Sequence, residues 1–353
     1  MIKEDNGVGM SAYAIVIFIL VLIYSFYMGF NDGSQAIATT VVTRAVKVKT
    51  AIIVASVIKF IVPIFFFLIG TMSVASNIQE HIIFNDYFEG LTQVESFAFI
   101  LSGMLGAMLW GAIAFSLKIP NTISHTLLGG IIGAGIAAFG FNSIQWTEYV
   151  LLNVVAMVAL APVIGLLLGY LLMRIFKRII RHANSNVSLV LKGFQRINFV
   201  LISGAFSSNN AQKALGVILL LSTLGLADFS SETMPIWIVI LIALALTLGM
   251  LCGGYRVMNT VGRKIFKIQP QHSVVAQLTT AIVSVVGTGL GISLGMGQVM
   301  TSSVIGVGAS ERFKSVHWTT AGKIALGWCF TLPISACAGA LIYMLIGKLI
   351  LGL

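Results

Sequence analysis

The chain has 353 residues, of which 58% are hydrophobic and only 9% charged, whereas about a quarter of the residues of a soluble domain carry charge. At roughly 20 apolar residues per helical crossing this length allows about ten crossings, which excludes a simple anchor, a cytosolic enzyme, a disordered chain and a disulfide-stapled secreted domain. The formal net charge of +10 fits Lys and Arg retained in cytoplasmic loops, since no aromatic or motif support for nucleic-acid binding accompanies it.

Met1 to Gly9 contains Lys3, Glu4 and Asp5 without a clear small-residue cleavage site after it, so the first apolar run is expected as a retained span. In chain order, hydropathy predicts helical segments at 11–43 (interrupted), 51–74, 97–115, 119–140 and 149–176. After a basic connection come 198–226 (also interrupted), 234–255, 274–294, a short 298–309 and 319–350. The loop charges alternate in sign as crossings require. Arg44, Lys47 and Lys49 precede Glu80, Asp86, Glu89 and Glu95, then Lys118, Glu148 and the connection with Arg174, Lys177, Arg178, Arg181, Lys192 and Arg196. Asp228 and Glu232, then Arg256, Arg263, Lys264 and Lys267, then Arg312 and Lys314, continue the pattern. Every basic loop falls on the cytoplasmic side. Cys252, Cys329 and Cys337 lack metal or redox spacing and are expected as small core residues.

Five segments on each side of the central connection are an odd number per half, so the halves must enter the bilayer in opposite directions. The expected organisation is a first inverted repeat at 1–173, a basic cytoplasmic connection at 174–196 and a second inverted repeat at 197–353. Sequence echoes fit it: Asn31-Asp32 with Asn209-Asn210, Gly130 to Gly135 with Ser303 to Gly308, and Pro162 with Pro333. Inverted repeats with interrupted helices are typical of secondary transporters, whose sites lie at the repeat interface.

Polar residues within spans cost a few kcal/mol each and mark function by default. The first cluster, Gly29 to Gln35 with Thr39, Thr40 and Thr43, suggests a broken helix whose freed N–H groups suit an anion and whose Asp32 suits a cation. A loop ending the span at Phe30 would leave the apolar run Ala36 to Val42 unexplained. The matching cluster is Ser207 to Lys213 with Gly216, where Lys213 either neutralises an anion or snorkels to the interface. In the third, Pro120 opens a short helix bearing Thr122, Ser124 and His125. His125 is a candidate ligand or proton relay, and a histidine satisfied by a neighbour is an equal reading. The fourth, Gly295 to Gln298 with Thr301, Ser302 and Ser303, fits a re-entrant segment too short to cross. Lys59 and Lys323 also fall in apolar runs, and Asp32 is a candidate partner for Lys59. No nucleotide loop, metal spacing or catalytic triad is present, and Asp32 has no second intramembrane carboxylate with which to make a protease.

These clusters resemble the inorganic phosphate transporter (PiT) family over nearly the whole chain. Gly29, Asn31, Asp32 and Ala36 match its first motif, with Gln35 in place of an Asn. Asn209, Ala211, Gln212, Lys213 and Gly216 match its second, and Pro120, Thr122, Ser124 and His125 its hydroxyl-rich motif, with Ile123 replacing a hydroxyl. The segment Gly306 to Trp328 and Thr331-Leu-Pro333 are similar too. Asn210 and Gln277 stand where the family usually carries, respectively, Asp and often Glu, and Gly295 to Gln298 replaces the second hydroxyl motif. The Asn209-Asn210 pair and Gln298 to Ser303 are shared with sulfate permeases of the same family.

The resemblance implies an all-α polytopic membrane protein with broken helices and re-entrant segments, located in the cell membrane. Its expected function is inward phosphate transport by alternating access, coupled to sodium or protons, with sulfate the alternative cargo and an anion channel or a non-transporting scaffold the rivals. Asn31, Thr122, Ser124, Asn209, Asn210, Gln212, Thr301 and Ser302 are expected to meet the oxyanion, with Lys213 adding charge. Asp32, Asn31 and Asn209 are expected to hold the coupling cation. No enzyme activity, cofactor or resident metal is expected beyond the transported Na+ or H+. The expected partners are phosphate, alternatively sulfate, and the bilayer, with no nucleic acid and a homo-oligomer left open.

Overall fold

A computed structural model describes residues 10–117, 121–146, 149–182, 187–253, 265–347, 349 and 352, and every long element among them is helical. In the first half, α1 is Ala12–Val42, α2 Val48–Leu68, α3 Ser73–Glu80, α4 Gln93–Ser116, α5 Ile123–Phe139 and α6 Met157–Ile179, the last preceded by a wider π-wound stretch at Tyr149–Ala156. In the second half, α7 is Val187–Thr223, α8 Ile236–Cys252, α9 Pro270–Gly289, α10 Met296–Glu311 and α11 Trp318–Ile346. Among the described residues seven helical stretches are long and apolar enough to cross a membrane, and α5 and α8 are shorter apolar helices. The protein is therefore a multi-pass membrane protein. All ten predicted segments correspond to a helix; Met1 to Gly9, Lys118, Pro120, Glu148, Arg256, Arg263 and Lys264 lie outside the described residues.

The expected break at Gly29 to Gln35 is corrected, because α1 stays helical through all 31 residues, and α7 likewise runs through Ser207 to Lys213. At 1.5 Å per residue α1 is about 46 Å long, more than the ~30 Å hydrocarbon core. Its glycines provide space for packing. Neither Gly29 nor Gly33 has a positive φ, but a Cβ on Gly29 would strike the Leu246 backbone of α8, and one on Gly33 would strike Met250.

The same device forms two further seams. Gly133 of α5 lies against the backbone of Ala336 on α11, and Gly130 against Gly103 and Gly339. Gly306 of α10 lies against Leu166 of α6, and Gly165 of α6 against Val299. Small residues let helix backbones approach closely where lipid offers no hydrophobic drive. Each of the short helices α5 and α10 is thereby fixed to a long helix of the other half.

The connections into α6 and α11 share a local structure. Trp146 Nε1 donates to the Phe141 carbonyl at 2.9 Å beneath a stacked Phe141 ring, and Trp318 Nε1 donates to the Phe313 carbonyl at 2.9 Å beneath a stacked Phe313. The first lies beside the acidic 80–95 region through the Gln145 amide, which donates to Ile82, and the second beside basic residues Arg312 and Lys314.

Two other expectations change. The basic connection is mostly helical, with α6 reaching Ile179 and α7 starting at Val187. Two of its long cationic side chains end at polar groups: Lys177 pairs with Glu311, and Arg196 Nε donates to the Ala45 carbonyl at 3.2 Å. The three cysteines are exposed on the helix surface, not in the core; in an apolar sequence context such surface faces lipid.

Candidate functional site

Asp32 is buried on α1 at its crossing with α7. Asn210 Nδ2 donates to Asp32 Oδ2 at 3.0 Å, so the two echoing positions of the halves meet directly. Lys213, one turn along α7 and 1% exposed, donates from Nζ to Asn210 Oδ1 at 3.3 Å and to the Leu294 carbonyl at 3.0 Å. Ser124 Oγ donates to that same carbonyl at 2.9 Å. A continuous polar chain thus joins α1, α7, the loop before α10 and the first turn of α5.

Two helix N-termini meet at this point. The N-cap of α5 is Thr122 and that of α10 is Gly295, and neither makes a side-chain cap bond. The first N–H groups of a helix have no intrahelical partner and carry partial positive charge. A Cβ on Gly295 would strike the Thr122 methyl and the Gln298 amide, and one on Gly297 would strike the Gln35 amide, so a side chain at either position would have to displace groups that line the junction. Between the two termini lies a cleft of about 200 Å³, its open mouth included, lined by Asp32, Gln35, Asn121, Thr122, Ser124 and Gln298 among others.

On the cleft wall, Thr122 Oγ1 and both amide atoms of Gln298 have no hydrogen-bond partner among the described residues, and neither do Ser293 Oγ and both ring nitrogens of His125, which neighbour these elements in the chain but do not line the cleft. Leaving such a group unpaired costs about 1 to 3 kcal/mol, so this concentration marks a place built to meet a polar ligand.

Not all expected residues gather there. Asn31 and Asp32 sit together on α1. Asn209 Nδ2 donates to Thr288 Oγ1 at 3.3 Å while its Oδ1 has no hydrogen-bond partner among the described residues. Gln212 faces α3, accepting from the Val74 amide at 2.9 Å. Thr301 and Ser302 are buried a turn further along α10; Ser302 Oγ bonds the Val299 carbonyl at 3.0 Å and faces Gly165 of α6, away from the cleft. The expected Asp32-Lys59 pairing is corrected: Lys59 is fully buried, but among the described residues it makes neither an ion pair nor a hydrogen bond with Asp32, while Lys323 is exposed.

Other contributors were given no binding role by sequence, although Gln298, Gln277, Thr39 and Thr40 were noted there. Gln298 lies on the cleft wall as the first polar side chain of α10. Tyr24 OH donates to the Ile123 carbonyl at 2.8 Å, and Asn121 Nδ2 donates to Tyr27 OH at 3.4 Å, holding the entry to α5 against α1. The spacing Tyr24, Tyr27, Asn31 on one helix face was the available signal. Gln277 Nε2 donates to Thr39 Oγ1 at 3.1 Å and also to Thr40 Oγ1. Among the described residues no group of three or more His, Cys, Asp or Glu is placed to hold a metal.

The profile described as "Phosphate transporter family" matches residues 28–194 and 182–339. A Bacillus subtilis protein named "Probable low-affinity inorganic phosphate transporter" is 35% identical, covering 95% of this chain and 97% of its own length. A Rhizobium meliloti protein of the same name is 33% identical over 91% and 93%. The solved structure titled "The sodium-dependent phosphate transporter" has a TM-score of 0.81 at 21% identity, covering 96% of this chain and 99% of its own, which is a likeness of fold.

Proposed function

The chain belongs to the phosphate transporter family, and from that premise we propose that it carries phosphate at the α5–α10 junction by alternating access, with sodium or a proton as the coupling cation. It is a phosphate transporter of the PiT type and not an enzyme. The observation that carries the site assignment is the meeting of two uncapped helix N-termini beside the Asp32-Asn210-Lys213 chain. Backbone N–H groups aimed at one point form an anion site, Lys213 supplies the opposite charge, and Thr122, Ser124 and Gln298 supply neutral donors. Asp32, with the amide oxygens of Asn31 and Asn209, holds the cation in this reading. The cation reduces the charge moved against an inside-negative potential, which opposes each negative charge by about 2.3 kcal/mol per 100 mV. Thr301 and Ser302 are buried but do not line the cleft, and Ser302 packs on Gly165 of α6, so neither is assigned a direct contact with the anion.

The two halves are proposed as inverted repeats joined by a cytoplasmic connection. What supports this is reciprocity: α5 lies along α11 while α10 lies along α6, and the stacked Phe-Trp corner occurs once beside acidic and once beside basic residues. Sulfate is the second reading, favoured by Asn210, which leaves Asp32 as the acid of the polar chain. Phosphate can donate its proton to an acceptor and sulfate cannot. In proteoliposomes, labelled phosphate uptake should saturate, depend on a cation gradient and be outcompeted by phosphate more than by sulfate. Uptake of sulfate that a large excess of phosphate does not reduce would replace phosphate by sulfate as cargo.

A further inference from the structure

Lys59 has no role in the site described so far. It lies at the middle of α2, in an otherwise apolar sequence, is 0% exposed, and its Nζ has no hydrogen-bond partner among the described residues. Lys213, by contrast, has two acceptors. An ammonium without acceptors in a protein interior is costly unless a negative charge lies close. Two features place Lys59 beside the site. Its carbonyl accepts from Ser207 Oγ at 2.8 Å, setting it level with the turn of α7 that bears Asn210. Gly33, next to Asp32, faces Met250 and, just beyond it, Lys59: a Cβ there would sit 3.5 Å from Lys59 Cε.

We propose that the Lys59 ammonium is a tethered cation of the transport site, taking the place of one coupling cation that the same site would otherwise need to bind with phosphate. The inference rests on the reading of Asp32 as the cation-binding carboxylate. Asp32 contributes one negative charge and Lys59 and Lys213 one positive charge each. Divalent phosphate then leaves the buried site one negative charge in excess, which a single free cation neutralises. Without Lys59 the same anion would require two. Net neutrality governs, because unbalanced charge within the bilayer is expensive.

The test is the dependence of phosphate affinity on cation concentration in the purified full-length protein. By linkage, the slope of log affinity against log sodium equals the number of cations taken up with phosphate, expected at about one for wild type and about two for Lys59→Met and Lys59→Gln. If sodium has no effect, the same slope is taken against proton concentration. Lys59→Arg, which retains the charge, should keep the wild-type slope. Equal slopes in wild type and both neutral variants would overturn the proposal. So would loss of phosphate binding by both neutral variants at every cation concentration despite wild-type melting temperatures, since a free cation should replace a tethered one. Failure of the phosphate reading itself would appear separately, as no phosphate binding by wild type.

Discussion

Thr122 and Ser124 face the same cleft with different prior commitments. Ser124 Oγ is engaged with the Leu294 carbonyl, while Thr122 Oγ1 has no partner among the described residues. In the proposed site an anion would gain a new hydrogen bond from Thr122 but only a redirected one from Ser124. Thr122→Ala should therefore weaken apparent phosphate affinity by about 1 to 3 kcal/mol and Ser124→Ala by less, as read from the concentration dependence of uptake. Thr126 is the control, because its hydroxyl is already bonded to the Thr122 carbonyl at 2.8 Å; Thr126→Ala should leave affinity close to wild type. Equal losses at all three positions would indicate disruption of α5. At this scale the sequence made Asp32, Asn210, Lys213, Thr122 and Ser124 legible, because an uncompensated polar group inside an apolar run is conspicuous. Gln298 was grouped with a re-entrant segment yet not assigned to the anion, and Ser302 was assigned although it turns toward α6. Which side of a short helix faces a cleft depends on the partner helix, which hydropathy does not specify.

Among the helices, glycine has two separable uses. Gly133 has ordinary helical backbone geometry but lies against the Ala336 backbone, so a side chain there must push two helices apart. Gly70 ends α2 at a φ of 74° with open space around it. Gly70→Ala should cost about 1 kcal/mol through backbone strain alone, whereas Gly133→Ala should exceed that through overpacking, typically about 1 to 3 kcal/mol. Melting temperatures of the two variants in detergent should fall in that order, and the reverse order would mean that the α5–α11 seam yields easily. The same ambiguity explains the misread break in α1. Gly29 and Gly33 flank Asn31-Asp32 as helix-breaking glycines would, yet they accommodate α8. Hydropathy located all ten apolar segments but not the eight-residue α3, whose polar face exposes little apolar sequence, and it ended α6 and α7 where their charges begin, although both helices continue beyond them.

For the molecule as a whole, the twin Phe-Trp corners provide a test of opposed orientation. Asn142 and Lys314 are exposed beside them. After the three exposed native cysteines are replaced, a cysteine at 142 should react with an impermeant maleimide on intact cells, and one at 314 only after permeabilisation. Labelling of both from one side would contradict the inverted arrangement. The glycine seams have a further mechanical consequence. Because α5 is clasped to α11, and α10 to α6, through backbone contacts with little room for sliding, the bodies expected to move in the proposed transport cycle are not the two halves of the sequence. Each body takes its short helix from one half and its long helix from the other. In the proposed cycle the cleft between α5 and α10 is then the parting line, and an anion bridging their two N-termini would be a hinge pin shared by both bodies.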